Sequence, residues 1–372
     1  MTVPEQRWRP LARGLAARIA ADHTPWHEVF AATPRHVFVP EYWDRSTGEP
    51  QRITSASPEW PAGVYADDAL ATRLQQHPDY PGVWVATSSS TRPSLMLSML
   101  EALDVAPGMR VLEIGTGTGY NTALLAVRLG GEHVVSLDLD PELVEAARRR
   151  LATLGLHPTV VTADGMTGWP DGAPYDRVIA THAVERIPQT WVAQTRPGGV
   201  ILADVRSVAN PSIGRIARLT VNADGSATGD FAHPDSGGFM AARHSLHAPT
   251  LDFGLHTRDL RDATPRSSPV GGAVLHEPGL AFALWSRVPQ ITISHADETL
   301  VSVPDGSWAS APEQPGKVHI AGPRDLWSEV EAAWEWWHSH GRPDIDRFRL
   351  TVIPDGQQRL WVDTPQQPVL PD

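Results

Sequence analysis

The 372-residue sequence contains no cysteine, which excludes disulfides, thiolate metal sites and cysteine nucleophiles. Lysine is nearly absent as well: Lys317 is the only one, the arginines are dispersed, and the formal net charge is −12. A surface for polyanions needs a basic stripe. The one local cluster, Arg148, Arg149 and Arg150, reads as a solvated helix face, so no nucleic-acid partner is expected. No apolar run reaches the ~18 residues of a membrane span, and the polar stretch 1–10 lacks the apolar core of a secretion signal. A cytoplasmic protein with no membrane partner is the expectation. The 16 histidines are scattered without H-E-x-x-H or similar spacing, so no metal is expected.

What is present falls into regions. Residues 7–33 read as one or two helices, with Trp26, Val29 and Phe30 at helical spacing after Thr24 and Pro25. Residues 34–40 read as a short extended segment between prolines, 44–63 as loop, and 83–86 as a strand. A helix follows Pro93, with Leu95, Met99, Leu100 and Leu103 on one face. Then strand patterns (110–114, 133–137, 158–162, 177–181, 199–205) alternate with helical ones near 120–129, 141–154 and 188–195. Near-continuous apolar strands in such alternation predict a parallel sheet covered on both faces. Segments 215–221 and 228–233 read as a hairpin about Asn222-Ala-Asp-Gly225, and 244–272 as a linker or peripheral stretch. Beyond it, 281–287 and 290–294 read as strands, 324–340 as a helix ended by Gly341 and Pro343, and 348–353 with 358–363 as a closing hairpin. The predicted class is α/β, a Rossmann-like fold with a mostly parallel sheet plus a C-terminal α+β extension. Its expected domains are 1–85, a helical and loop segment packed on the catalytic domain; 86–243, the Rossmann-like domain; and 244–372, the extension.

The chemistry is concentrated at Val111-Leu-Glu-Ile-Gly-Thr-Gly-Thr-Gly-Tyr120, an apolar strand running into a glycine loop and then a helix. Gly115, Gly117 and Gly119 permit a sharp turn and close approach of a ligand, and the helix start is expected to aim free N–H groups at the site. Glu113, two residues before the first glycine, suits a cationic ligand better than a phosphate. The next strand ends at Asp138, where a ribose diol finds its carboxylate, and the third is followed by Asp164 and Gly165, placed for an adenine edge. Acids at the ends of successive strands converge on the carboxyl edge where open α/β sheets bind ligands. Together they predict S-adenosylmethionine (SAM).

Over about 25–206 the sequence resembles the protein-L-isoaspartate O-methyltransferase family. The matching pieces are Pro34-Arg-His-Val-Phe-Val-Pro40, Tyr65-Ala-Asp67, a hydroxyl segment before Pro93, the glycine loop, Ser136-Leu-Asp138, Asp164-Gly165, and Ile187-Pro188 through Gln194 to Pro197-Gly-Gly199. The resemblance implies a cofactor site of Glu113, Gly115, Thr116, Gly117, Gly119, Asp138, Leu139, Asp164, Gly165 and Thr181. It implies Thr91, Ser90 and Ser89 as the groups acting on substrate, with Ser88 and Arg92 beside them. Two departures stand out. The family's Thr-Ile-Ser-x-Pro reads Ser89-Ser-Thr-Arg-Pro93 here, so Thr91 takes the serine's place, and the usual glycine-rich loop after Asp67 is replaced by 70–85. The chain also runs on by more than a hundred residues. That extension resembles members encoded with ribosomally made peptides of the graspetide type, which methylate a peptide aspartate that then collapses to succinimide. Trp336 and Arg342 are its candidate peptide contacts.

The implied partner is therefore a peptide or protein carrying Asp or isoaspartate. An Asp-type carboxyl has a pKa of ~3.9 and is already a nucleophile at neutral pH, which suits a sequence with no recognisable Ser–His–Asp arrangement. Ester formation followed by ring closure serves peptide maturation and L-isoaspartyl repair alike. A SAM methyltransferase acting on a small molecule or RNA, and a peptide-binding protein that keeps SAM without turnover, are the competing readings.

Overall fold

The computed structural model describes residues 5–21, 24–46, 48–77, 80–231, 233–243 and 263–369. Contacts divide the chain into two compact units. One holds Met1–His182, Pro188–Leu202 and Ala242–Thr250; the other holds Ala183–Ile187, Ala203–Ala241 and Leu251–Asp372. The division differs from the three segments expected from sequence. Residues 203–241, expected in the Rossmann-like segment, cluster with 251–372 instead.

The first unit begins with α1 (Glu5–Ile19), α2 (Pro25–Ala32) and α3 (Arg35–Phe38). A small antiparallel sheet follows, from β1 (Glu41–Asp44), β2 (Gln51–Thr54), β3 (Leu70–Gln76) and β4 (Trp84–Ser90) in the order β2-β1-β3-β4, with α4 (Trp60–Val64) between β2 and β3. Two expectations fail here. Segment 34–40 contains a helical turn, because Pro34 precedes and supplies extended backbone at its start. Segment 44–63, expected as loop, also carries β2 and the start of α4: Ile53, Trp60 and Val64 are buried beside Leu15, Val39 and Tyr65, and this apolar burial outweighs local turn composition there.

Next come α5 (Pro93–Leu103), β5 (Val111–Ile114), α6 (Tyr120–Leu129), β6 (Val134–Asp138), α7 (Pro141–Ala152), β7 (Thr159–Thr162), β8 (Tyr175–Val184), α8 (Gln189–Gln194) and β9 (Thr195–Arg206). In α5 the spaced residues Leu95, Met99, Leu100 and Leu103 are buried as the periodicity requires. Asp140 caps α7, accepting from the Glu142 amide at 2.9 Å, with Pro141 in the first turn. Strands β8, β5, β6 and β7 lie side by side in that order and run parallel. Strand order turns back at β5: the chain moves outward to β6 and β7, then returns to β8 on the other side. The loop after β5 thus opens at a topological switch point, where such sheets bind ligands.

The second unit carries β10 (Gly214–Val221), β11 (Ala227–Asp230), β12 (Thr264–Ser268), α9 (Pro278–Arg287), β13 (Thr292–His295), β14 (Thr299–Ser302), β15 (Trp308–Ala311), β16 (Gly316–Ala321), α10 (Leu326–Ser339), β17 (Phe348–Val352) and β18 (Gln358–Val362). The hairpin β10–β11 is extended by β17 and β18, all antiparallel, with Ala227 opposite Val352 and Asp230 opposite Arg349. A separate antiparallel sheet has the order β12-β16-β15-β14-β13, and its Val301, Ala309 and Val318 share a core with Leu280 and Leu284 of α9 and Trp327, Val330 and Trp337 of α10. Residues 281–287, expected as a strand, are helical: Pro278 opens the helix, and the run is buried through Trp285. Short apolar runs do not distinguish a buried helix from a strand. Strands β14 to β16 have no counterpart in the sequence reading, and most of the expected linker, 244–262, lies outside the described residues. Among the described residues, no helix is long and apolar enough to cross a membrane.

Candidate functional site

The glycine loop lies between β5 and α6, and its conformation explains its composition. Gly115, Gly117 and Gly119 have φ of 98°, 52° and 88°, values that side chains rarely tolerate. Beneath the loop sits a buried polar network. Glu113 is fully buried, and its carboxylate accepts from Asn121 Nδ2 at 2.7 Å, Ser136 Oγ at 2.6 Å and Thr122 Oγ1. Burial pushes the Glu113 carboxyl up to about 7, and the three hydrogen bonds oppose the rise. Thr116 Oγ1 joins the network at 2.6 Å from Ser136 Oγ. These placements correct two expectations. Glu113 braces the strand and the first turn of α6 instead of meeting a ligand, and the Thr116 side chain points into the same network.

The loop amides are also spent internally. Gly115 and Thr116 N–H both donate to the Leu137 carbonyl, Gly119 N–H donates to Thr116, and Gly117 N–H donates to Asp138 Oδ2 at 2.8 Å. The amides of Gly115, Thr116, Gly117 and Gly119 are thus bonded within the fold. What the loop offers is an open face: a Cβ on Gly117 would meet only the Ser89 carbonyl oxygen, at 3.7 Å. By contrast, a Cβ on Gly115 would strike Thr181 Oγ1 at 2.6 Å and one on Gly165 would strike Ile114 at 2.3 Å. Thr181 donates to the Gly115 carbonyl at 2.6 Å, so its hydroxyl fixes the first glycine.

Asp138 ends β6 half-buried, and burial raises its pKa against bonds from the Asp140 and Gly117 amides. Asp164 is half-buried and accepts from the Met166 amide at 2.9 Å, while Trp191 Nε1 donates to the Gly165 carbonyl at 2.7 Å. Leu139 is half-buried beside Asp138. His182, which sequence reasoning passed over, reaches the same place. Its ring is 3.4 Å from a Cβ built on Gly115 and 3.7 Å from one on Gly165. An open glycine face and carboxylates at the ends of β6 and after β7 fit a cationic donor with a ribose diol, which is the chemistry of SAM.

The hydroxyl segment is the end of β4, and the structure separates its members. Ser90 is buried, and its Oγ accepts from Arg35 Nη2 at 3.3 Å; Ser88 is buried, with its Oγ 3.1 Å from the donating Thr72 hydroxyl. Both are structural, which corrects Ser90 as a group acting on substrate and Ser88 as a contact. Ser89 and Thr91 are half-buried, and Arg92 is exposed. The Ser89 carbonyl lies over Gly117, so the backbone at Ser89 passes beside the open face of the loop.

Arg35 holds that arrangement. It is fully buried, and its guanidinium donates to the carbonyls of Val64, Ala66, Asp68 and Thr91 at 2.9–3.1 Å and lies 5.7 Å from the Tyr120 ring centroid. Burial lowers its pKa to about 10, and it stays charged. Its neighbour His36, pushed down to about 4 by burial, stays neutral 2.7 Å from the Tyr65 hydroxyl. Asp67 Oδ1 accepts from the Ser94 amide at 2.8 Å and so caps α5. The pieces Pro34–Pro40 and Tyr65–Asp67 thus meet around the hydroxyl segment. Arg243, another residue sequence reasoning missed, donates to the Thr87 carbonyl at 3.0 Å and its charge reaches Asp138.

The extension's candidates are placed differently. Trp336 is half-buried, its Nε1 donates to the Pro368 carbonyl at 3.2 Å, and it stacks on His340 with centroids 4.7 Å apart. It is engaged within the fold and is not the exposed contact expected. Arg342 is exposed, with its guanidinium 5.8 Å from the Trp337 ring centroid. Trp327, unremarked in the sequence, is fully buried and donates to Ser268 Oγ at 3.1 Å.

Comparison with known proteins agrees with this geometry. The family model described as protein-L-isoaspartate(D-aspartate) O-methyltransferase matches residues 15–228. The chain is 32% identical over 203 residues to the protein-L-isoaspartate O-methyltransferase of Ignicoccus hospitalis, spanning 54% of this chain and 82% of that one. It is 36% identical over 214 residues to the enzyme of that name from Methylorubrum extorquens, spanning 58% and 80%. A solved structure of a protein called protein-L-isoaspartate O-methyltransferase shares the fold, with a TM-score of 0.56 at 22% identity, over 95% of this chain and 99% of that chain. That shared fold extends through the C-terminal region. The chain belongs to the protein-L-isoaspartate O-methyltransferase family and is a SAM-dependent carboxyl methyltransferase.

Proposed function

We propose that this chain esterifies the free carboxylate of an isoaspartyl or aspartyl residue in a peptide or protein, with L-isoaspartyl residues the first acceptor. The observation that carries this reading is the half-buried pair Ser89, near the end of β4, and Thr91, just after it, with the Ser89 carbonyl over Gly117. SAM, when bound, supplies an electrophilic methyl group on a sulfonium. The acceptor carboxylate, with a pKa of ~3.9, is ionised at neutral pH and needs no base. The Thr91 and Ser89 hydroxyls hold one carboxylate oxygen while the other faces the methyl, and orientation of this kind contributes roughly 7–11 kcal/mol to lowering a barrier. Asp138 and Asp164 take the donor's ribose and adenine edges, Arg35 keeps the acceptor strand in place, and Arg243 adds positive charge beside Thr87 for an anionic peptide. The following backbone nitrogen of the acceptor then attacks the ester carbonyl, expels methanol and closes the succinimide.

A second reading is maturation of a ribosomally made peptide at aspartate. It draws support from the β3–β4 hairpin, which stands where the family has a glycine-rich loop, and from the exposed Arg342 as a peptide contact. The decisive experiment supplies methyl-labelled SAM with an isoaspartyl peptide, the aspartyl peptide of the same sequence and an RNA. Base-labile label on the isoaspartyl peptide supports the first reading. Label on aspartyl peptides alone moves the function to the second. Base-stable label, or label on RNA, rejects carboxyl transfer.

A further inference from the structure

We propose that His276, His295 and Glu313, in the second unit, bind a divalent transition-metal ion of the zinc type. His276 ends the short 3-10 helix Gly272–His276, His295 ends β13, and Glu313 lies in the turn between β15 and β16. One nitrogen of each imidazole and one carboxylate oxygen lie within 4.8 Å of one another. His276 Nε2 is 3.6 Å from Glu313 Oε2, and the two rings face each other with centroids 4.0 Å apart and planes at 25°.

A supporting shell fixes which atoms are offered. The Thr299 side chain is fully buried, and its hydroxyl donates to Glu313 Oε1 at 3.3 Å and lies 3.1 Å from His295 Nδ1. A hydroxyl has one proton. Having given it to Glu313, Thr299 accepts from His295 Nδ1–H, which leaves the lone pair of Nε2 for a ligand and turns Glu313 Oε2 toward His276. This is how ligating histidines and carboxylates are commonly oriented. The backbone beneath is equally fixed. Gly272 and Ala273 N–H donate to the Pro312 and Glu313 carbonyls at 2.7 and 3.1 Å, and a Cβ on Gly272 would strike Thr299 Oγ1 at 2.4 Å.

Two imidazole nitrogens and one carboxylate oxygen are a zinc-type donor set with a fourth position left for water, whereas calcium and magnesium prefer oxygen ligands throughout. Tetrahedral coordination places ligand atoms roughly 3.3 Å apart, so the exposed rings turn out of their stack to take the ion. The spacing motifs of metal sites are absent because the ligands come from three separate segments that only the fold brings together.

The test is titration of the EDTA-treated full-length chain with zinc chloride by calorimetry, with thermal melting alongside. One high-affinity equivalent is expected at micromolar or tighter Kd, with a rise in Tm. His295→Ala and Glu313→Gln, both at exposed positions, should each weaken that equivalent at least tenfold. Thr299→Val, which keeps all three ligands, should weaken it about 10–100-fold. Absence of a micromolar equivalent, or an equivalent that survives in the His276→Ala/His295→Ala double variant, overturns the proposal. Methyl transfer is not involved in the readout, so the outcome is independent of the acceptor's identity.

Discussion

The glycine loop and the hydroxyl strand lie side by side but are held by opposite means. The loop is braced by its own neighbourhood: Glu113, Asn121, Thr122 and Ser136 fall within a short stretch of chain and close a buried network beneath Gly115–Gly119. The hydroxyl strand is held from far away, by Arg35, which reaches Ser90 and Thr91 across more than fifty residues. The loop is held by contacts local in sequence, while the hydroxyl strand depends on packing between distant segments.

The largest expected effect breaks the long-range side. Arg35→Ala leaves several buried carbonyls without a donor and should cost about 3–5 kcal/mol of stability. Denaturant unfolding measures the loss. Arg35→Lys, which keeps the charge but not the planar fork, should recover only part of it.

The local side is tested by pH. Folding raises Glu113 from the ordinary 4.5 to about 7, so within that window the folded state holds more proton than the unfolded. The Glu113 contribution therefore falls as pH rises from 4.5 to about 7 and is flat above it, an effect of up to about 3 kcal/mol, and it opposes that of His36, which folding lowers from 6.5 to about 4 and whose contribution rises over that range. Glu113→Gln should remove the falling term and leave stability rising with pH between about 4 and 6.5, as unfolding free energies measured at closely spaced pH values would reveal. An unchanged slope in the variant would place the titration elsewhere.

Asp138→Ala removes both the anchor of the Gly117 amide and the carboxylate expected at the ribose. SAM affinity should fall by about 1.5–3 kcal/mol, or roughly 10–150-fold, by calorimetry. The smallest effect is expected in the extension. Arg342→Ala, at an exposed position, should leave stability within about 0.5 kcal/mol while raising KM for a cognate peptide. An unchanged KM would remove Arg342 from peptide recognition.

The same contrast governs what could be read from the sequence. Strand–loop–helix with Glu113, the glycines and Asp138 was legible because its residues are contiguous and its spacing has a physical meaning. Its inner logic was not: sequence cannot tell that Glu113 faces inward to Ser136 or that the amides of Gly115 and Gly117 are already bonded. Arg35 sat inside a recognisable segment, yet its role depends on carbonyls of residues 64–68 and 90–91. Residues 281–287 read as a strand although they lie in the helix Pro278–Arg287, because an apolar run buried on all sides has no face. The extension also proved inseparable by cutting the chain near 243, since β11 pairs with β17. Such a truncation would strip a strand of its partner.

The central claim is that the glycine loop serves the donor while the end of β4 serves the acceptor. Its most direct test is the Ser89→Ala/Thr91→Ala double variant, with SAM affinity and peptide methylation measured on the same preparation. SAM affinity should stay within about twofold of the parent while kcat/KM for the peptide falls at least tenfold, equivalent to about 1.4 kcal/mol of lost transition-state stabilisation. A collapse of SAM affinity in step with turnover, or turnover left intact, would contradict the account.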